Sequence, residues 1–205
     1  AHLAALQDIA DRHAGTRATD TPGFAESEAY AVTTLRQAGW TVSVQTFTLP
    51  GTVPTDPPSL TQVGPVPATY VEGTDYSLTT PPSGDDADAP LALVGITGVP
   101  DPADGGGACA PGAFDGFPVG SIALVVFGSC DPLVVMTDAF TAGATGVGFI
   151  SDGAPGEQDP VQVDVGISLG LASFSLSHAL GASLVDQVRS AGPVQLRFDS
   201  GWRAG

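Results

Sequence analysis

The chain has 205 residues, 22 acidic side chains against 6 basic ones, and a formal net charge of −16. So strong an acidic excess argues against nucleic acid or an anionic membrane surface as partner, since both require a basic patch. An apolar fraction of 42% argues against disorder, 27 Gly and 18 Pro predict a loop-rich fold, and no apolar run reaches membrane-spanning length.

The first 49 residues read as helix, helix, strand. Leu3, Leu6, Ile9 and Ala10 recur at helical spacing, and the helix ends near Gly15. Thr21-Pro22 opens a second helix, with Thr21 as N-cap and Pro22 where its missing N–H does no harm. Phe24, Ala31, Val32, Leu35 and Ala38 form the apolar stripe, and Gly39 ends it. Trp40–Leu49 is β-prone, but two helices cannot cover both faces of a lone strand. It needs a sheet from elsewhere.

Six prolines between Pro50 and Pro67 predict an irregular crossing, and Pro81–Asp88 reads as an exposed acidic turn. Calcium is conceivable there, but the spaced ligands and fixed Gly of an EF-hand loop are missing. Further on, Leu91–Thr97, Ser121–Phe127, Thr145–Ser151 and Val165–Leu171 are strand candidates. Leu133–Ala142 reads as a helix with Leu133, Met136, Phe140 and Gly143 on one face. A last helix spans Ser177–Ala191, with Leu180, Leu184, Val185 and Val188 on one side, and Val194–Phe198 closes the chain as a strand. Strand-helix-strand order makes this an α/β domain.

Few residues can carry chemistry. Gly166-Ile167-Ser168-Leu169-Gly170 fits G-x-S-x-G, the pattern of a serine hydrolase nucleophile. The only downstream His is His178, with no acid between it and Ser168, and the next helix starts late. His2, His13 and His178 fall in no metal-binding spacing, and Gly105-Gly106-Gly107 lacks the context of a phosphate loop. Cys109 and Cys130 are either buried thiols or a disulfide; an exported protein favours the disulfide, which would stabilise the fold by about 3 kcal/mol. The residues taken alone describe a binding or accessory module.

Phe114-Asp115-Gly116-Phe117-Pro118-Val119-Gly120-Ser121-Ile122-Ala123-Leu124-Val125 resembles the protease-associated domain, and so do Gly128-Ser129-Cys130 and Val147-Gly148-Phe149-Ile150. His2-Leu3, Gly15-x-Arg17, Thr21-Pro22-Gly23-Phe24 and Ala38-Gly39-Trp40 look like the start of secreted zinc aminopeptidases of metallopeptidase family 28. In that family the protease-associated domain is inserted after the first helices and strand of the peptidase domain. The resemblance implies three segments: 1–49 from a peptidase-like domain, 50–195 as the protease-associated domain, and 196–205 as a return strand or tail. It also implies a sandwich or open-barrel core of short strands flanked by helices, a Cys109–Cys130 disulfide, and secretion.

By the same resemblance, the zinc ligands and catalytic Glu belong to the part of the family beyond Gly205, so this chain is expected to be non-catalytic and without cofactor. Its expected partners are a peptide or protein substrate, or the peptidase domain of the same polypeptide. Departures from the family pattern fall at Phe127 (usually Arg), Pro132 (Phe), Val135 (Lys) and Asp138 (Asn), which mark a candidate binding edge. A stand-alone secreted binding protein is the alternative reading.

Overall fold

The computed structural model describes residues 2–18, 21–46, 52–83, 85–128, 130–166 and 169–204. They divide into two units, Ala1–Leu49 and Pro50–Gly205.

The first unit is a pair of helices, α1 (His2–Arg12) and α2 (Pro22–Gln37). Thr21 caps α2 as its residue type predicts: its side-chain oxygen accepts the Phe24 N–H at 3.2 Å. Glu26 of α2 pairs with Arg12 and with His13 at the end of α1, and His2 Nδ1 lies 2.7 Å from the Tyr30 hydroxyl. Only Ile9, Ala10 and Gly23 are buried on the two helices. The expected strand at Trp40–Leu49 does not form over 40–46, where Trp40 is 68% exposed; 47–49 lie outside the described residues. A lone strand leaves its backbone donors and acceptors unpaired, and the described residues of this unit form no sheet to take them.

Among its described residues the second unit holds ten strands: β1 (Thr52–Pro54), β2 (Ser59–Gly64), β3 (Ala68–Tyr70), β4 (Tyr76–Leu78), β5 (Ala87–Leu93), β6 (Ile122–Val126), β7 (Gly146–Ile150), β8 (Ala172–Leu176), β9 (Gln195–Asp199) and β10 (Trp202–Ala204). Eight form one sheet in the order β3-β2-β9-β5-β6-β7-β8-β4. β5 to β8 are parallel, and the flanking pairings are antiparallel. β1 and β10 pair separately, Thr52 opposite Ala204.

The sheet must curl. β3 and β4 lie at its opposite ends, yet only residues 71–75 join them, a reach of about 21 Å. Eight flat strands would set those ends about 34 Å apart. Side chains report the same curvature: Phe198 of β9 meets Phe174 of β8 with ring centroids 4.7 Å apart, although three strands separate them in the sheet.

Helix α4 (His178–Ser190) packs Leu180, Leu184 and Val185 into the inside of the curl, against Leu124, Ile150, Phe174 and Phe198. Helix α3 (Pro132–Thr141) covers the opposite face with Val135, Met136 and Ala139 against Val125, Val147 and Phe149. β6 is buried on both faces, which explains its unbroken apolar run, Ile122-Ala123-Leu124-Val125-Val126. Gly181 lets α4 approach β7; a Cβ there would lie 2.2 Å from Ile150 Cγ2.

Several expectations shift. The proline-rich crossing is not wholly irregular: its described residues carry β1 and β2, with Leu60 and Gln62 turned inward on β2, and β3 and β4 follow. The strand expected at Leu91–Thr97 lies earlier, at Ala87–Leu93. The one expected at Val165–Leu171 lies later, at Ala172–Leu176, because Gly166 and Gly170 both adopt positive φ (71° and 73°) and break the extended run. Of the return strand or tail expected at 196–205, the described residues form β9 and β10, with β9 between β2 and β5 within the sheet.

Candidate functional site

The disulfide and α3 frame a surface cleft. Cys109 and Cys130 are bonded, with Cα atoms 5.8 Å apart across 21 positions. The bridge ties a 3-10 helix, Pro102–Cys109, to the turn before α3. Asp131 then caps α3, accepting the Leu133 N–H at 2.9 Å, and Pro132 occupies the first turn. Between this loop and the helix opens a cleft of about 360 Å³, lined by Cys109, Gly112, Phe114 and Asp115 on one side and Asp138 and Thr141 on the other.

The four residues marked as a binding edge are divided by this geometry. Asp138 is exposed and lines the cleft; Pro132 is half-buried at the helix start; Phe127 packs against the core under α3. Val135 is not on an edge at all: at 2% exposure it belongs to the core. The expected helix face is also rotated. Leu133 and Phe140 point outward, Phe140 with 57% of its surface exposed, while Val135 and Ala139 point in. α3 is apolar on nearly every side, so periodicity could not say which side the sheet would take.

The remaining candidates are committed elsewhere. Ser168 lies outside the described residues. Asp86 and Asp88, part of the expected acidic turn, hold arginines: Asp88 pairs with Arg197 at 2.7 Å, and Asp86 pairs with Arg203 at 3.1 Å. Hydrogen bonds from Gln195 and Arg197 lower the Asp88 pKa, and the Gly201 N–H followed by Arg203 lowers that of Asp199. Gly107 serves close packing, since a Cβ there would lie 2.4 Å from the Gly95 carbonyl oxygen.

Zinc needs three or four His, Cys or carboxylate ligands converging on one point. Among the described residues no such group of three occurs. His2 engages Tyr30, His13 engages Glu26, His178 Nδ1 lies 3.2 Å from the Ser151 carbonyl oxygen, and both cysteines are bonded to each other. These residues do not fit a zinc centre. No described helix is long and apolar enough to cross a membrane.

Comparison with known proteins places this architecture. No family model matches the sequence. An aminopeptidase of Pseudomonas aeruginosa is 36% identical over 152 residues, 74% of this chain and 28% of that protein. A probable lipoprotein aminopeptidase of Mycobacterium tuberculosis, LpqL, is 36% identical over 140 residues, 68% of this chain and 25% of that one. Among solved structures, an aminopeptidase from Aneurinibacillus sp. strain AM-1 matches with a TM-score of 0.62 at 17% identity, over 98% of this chain and 44% of that chain. A zinc aminopeptidase from Bacillus subtilis matches with a TM-score of 0.52 at 18% identity, over 99% of this chain and 43% of that one. The fold is aminopeptidase-related. The chain spans about a quarter of the length of the relatives it matches in sequence.

Proposed function

We propose that the chain is a non-catalytic protease-associated module, with the N-terminal segment, of a secreted zinc aminopeptidase-like protein. In this reading the Pro50–Gly205 unit binds peptide or protein, or the peptidase domain of the same polypeptide, and so gates access of substrate.

The pairing of β1 with β10 carries the reading. Thr52 faces Ala204 and Pro54 faces Trp202, so the chain enters and leaves this unit through one two-stranded stem. A domain whose ends leave side by side can sit inside another domain without distorting it. The stem is also held to the body: Arg203 of β10 pairs with Asp86 and Asp199, and the Ser200 N–H donates to Asp86 at 3.0 Å. The aminopeptidase relatives and the disulfide, which suits an oxidising compartment, support the same reading.

The test is direct. Purified chain is expected to bind no stoichiometric zinc and to release no amino acid from aminoacyl-nitroanilides. Turnover that a chelator abolishes and zinc restores would overturn the proposal.

A further inference from the structure

The outer side of α3 is mostly apolar. Leu133, Val134, Thr137, Phe140 and Thr141 face solvent there, and Asp138 is the single charge among them. The sheet face beneath is already covered by Val135, Met136 and Ala139, so the fold itself makes no use of this apolar surface. Val134, Asp138 and Thr141 are spaced three and four residues apart, so they share one face, and Asp138 and Thr141 border the cleft beside the disulfide.

The charge balance says what kind of partner suits this face. Asp115 and Asp138 line the cleft, and Asp131 stands at the helix start. The sequence has no Lys, and the three arginines of this unit are engaged elsewhere. Arg189 donates to the carbonyls of Gly98 and Ile96, Arg197 pairs with Asp88, and Arg203 pairs with Asp86 and Asp199. None of these arginines lines the cleft, so the cation that complements its carboxylates is one that a partner supplies.

We infer that the outer face of α3 and the adjoining cleft dock a peptide segment carrying a Lys or Arg side chain next to an apolar one. The basic group enters between Asp115 and Asp138, and the apolar neighbour lies on Val134 and Phe140. This rests on the binding role proposed above and names the chemistry of its partner. A cleft of about 360 Å³ has room for one long basic side chain.

The test uses the full chain, isotope-labelled, titrated with acetyl-Gly-Leu-Arg-Leu-Gly-amide and with analogues carrying Gln or Glu in place of Arg. Amide shifts confined to residues 109–115 and 131–142 are expected with the Arg peptide, and none with the Glu peptide. Asp115→Asn with Asp138→Asn is expected to weaken binding by at least ~5-fold, while Asp186→Asn on the outer side of α4 changes it less than ~2-fold. Retained amide dispersion in each variant shows that folding is intact. Equal binding of the Gln peptide, equal loss with Asp186→Asn, or shifts elsewhere on the unit would overturn the inference. So would the absence of shifts. A peptide carrying its only cation as a free N-terminal ammonium overturns it if it binds the cleft as tightly as the Arg peptide. None of these outcomes bears on zinc content or turnover, so failure here is distinguishable from failure of the proposed function.

Discussion

Helices α3 and α4 pack on opposite faces of one curled sheet, and they differ in what they show to water. Toward the sheet they are alike: Val135, Met136 and Ala139 on one, Leu180, Leu184 and Val185 on the other, all buried. Toward solvent, α4 carries Asp186 and Arg189, and Arg189 ties it to the loop after β5. α3 instead shows Leu133, Val134 and Phe140. Folding accounts for both inner faces and for the outer face of α4. It does not account for the outer face of α3, which is why that face reads as a binding surface.

Mutations can break or sharpen this contrast, beginning inside. Met136→Ala and Leu184→Ala remove fully buried side chains of the two helices. Each is expected to cost about 2–5 kcal/mol in denaturant unfolding, with no systematic difference between the helices. Gly181→Ala is the next largest effect and applies to α4 alone. The added methyl would collide with Ile150, for an expected loss of about 1–3 kcal/mol despite the better helix propensity of Ala.

The caps should again behave as equals. Asp131→Ala and Ser177→Ala each remove a capping oxygen, one accepting the Leu133 N–H and the other the Leu180 N–H, and each is expected to cost about 1 kcal/mol. The outer faces then separate stability from binding. Phe140→Ser is expected to change stability by less than about 0.5 kcal/mol while weakening the peptide titration, whereas an equal loss of both would tie Phe140 to the fold instead.

The smallest effect belongs to the ion pairs of β9, the strand into which α4 leads. Asp88 and Asp199 have lowered pKa values in the folded protein, so their contribution is complete above the unfolded carboxylate range. It is lost as pH falls through their folded values. Stability measured against pH should therefore fall on acidification below about pH 4, and less so in Arg197→Met, where one partner is gone.

Much of this was legible from local signals. Thr21-Pro22 and Ser177 mark helix starts because capping is chemistry between residues two or three apart. Ser121–Phe127 and Thr145–Ser151 read as strands because doubly covered strands are apolar throughout, and β6 and β7 fall inside those bounds. Short strands such as Ala68–Tyr70 and Tyr76–Leu78 were not legible; three residues carry no periodicity, and only the neighbouring strand holds them. The cleft was half legible. Asp138 was singled out, but Asp115 was not, since nothing local connects a loop residue to a helix 23 positions later.

By itself, then, the sequence determined the helices, the apolar strands and the acidic balance, because each depends on residues close together in the chain or on composition alone. The tertiary structure alone decided that the sheet curls, that β9 slots between β2 and β5, and that α3 turns Val135 inward and Phe140 outward. Those outcomes depend on pairings between segments far apart in the chain, Leu60 opposite Phe198 among them, and on which face of an almost wholly apolar helix finds a sheet to cover.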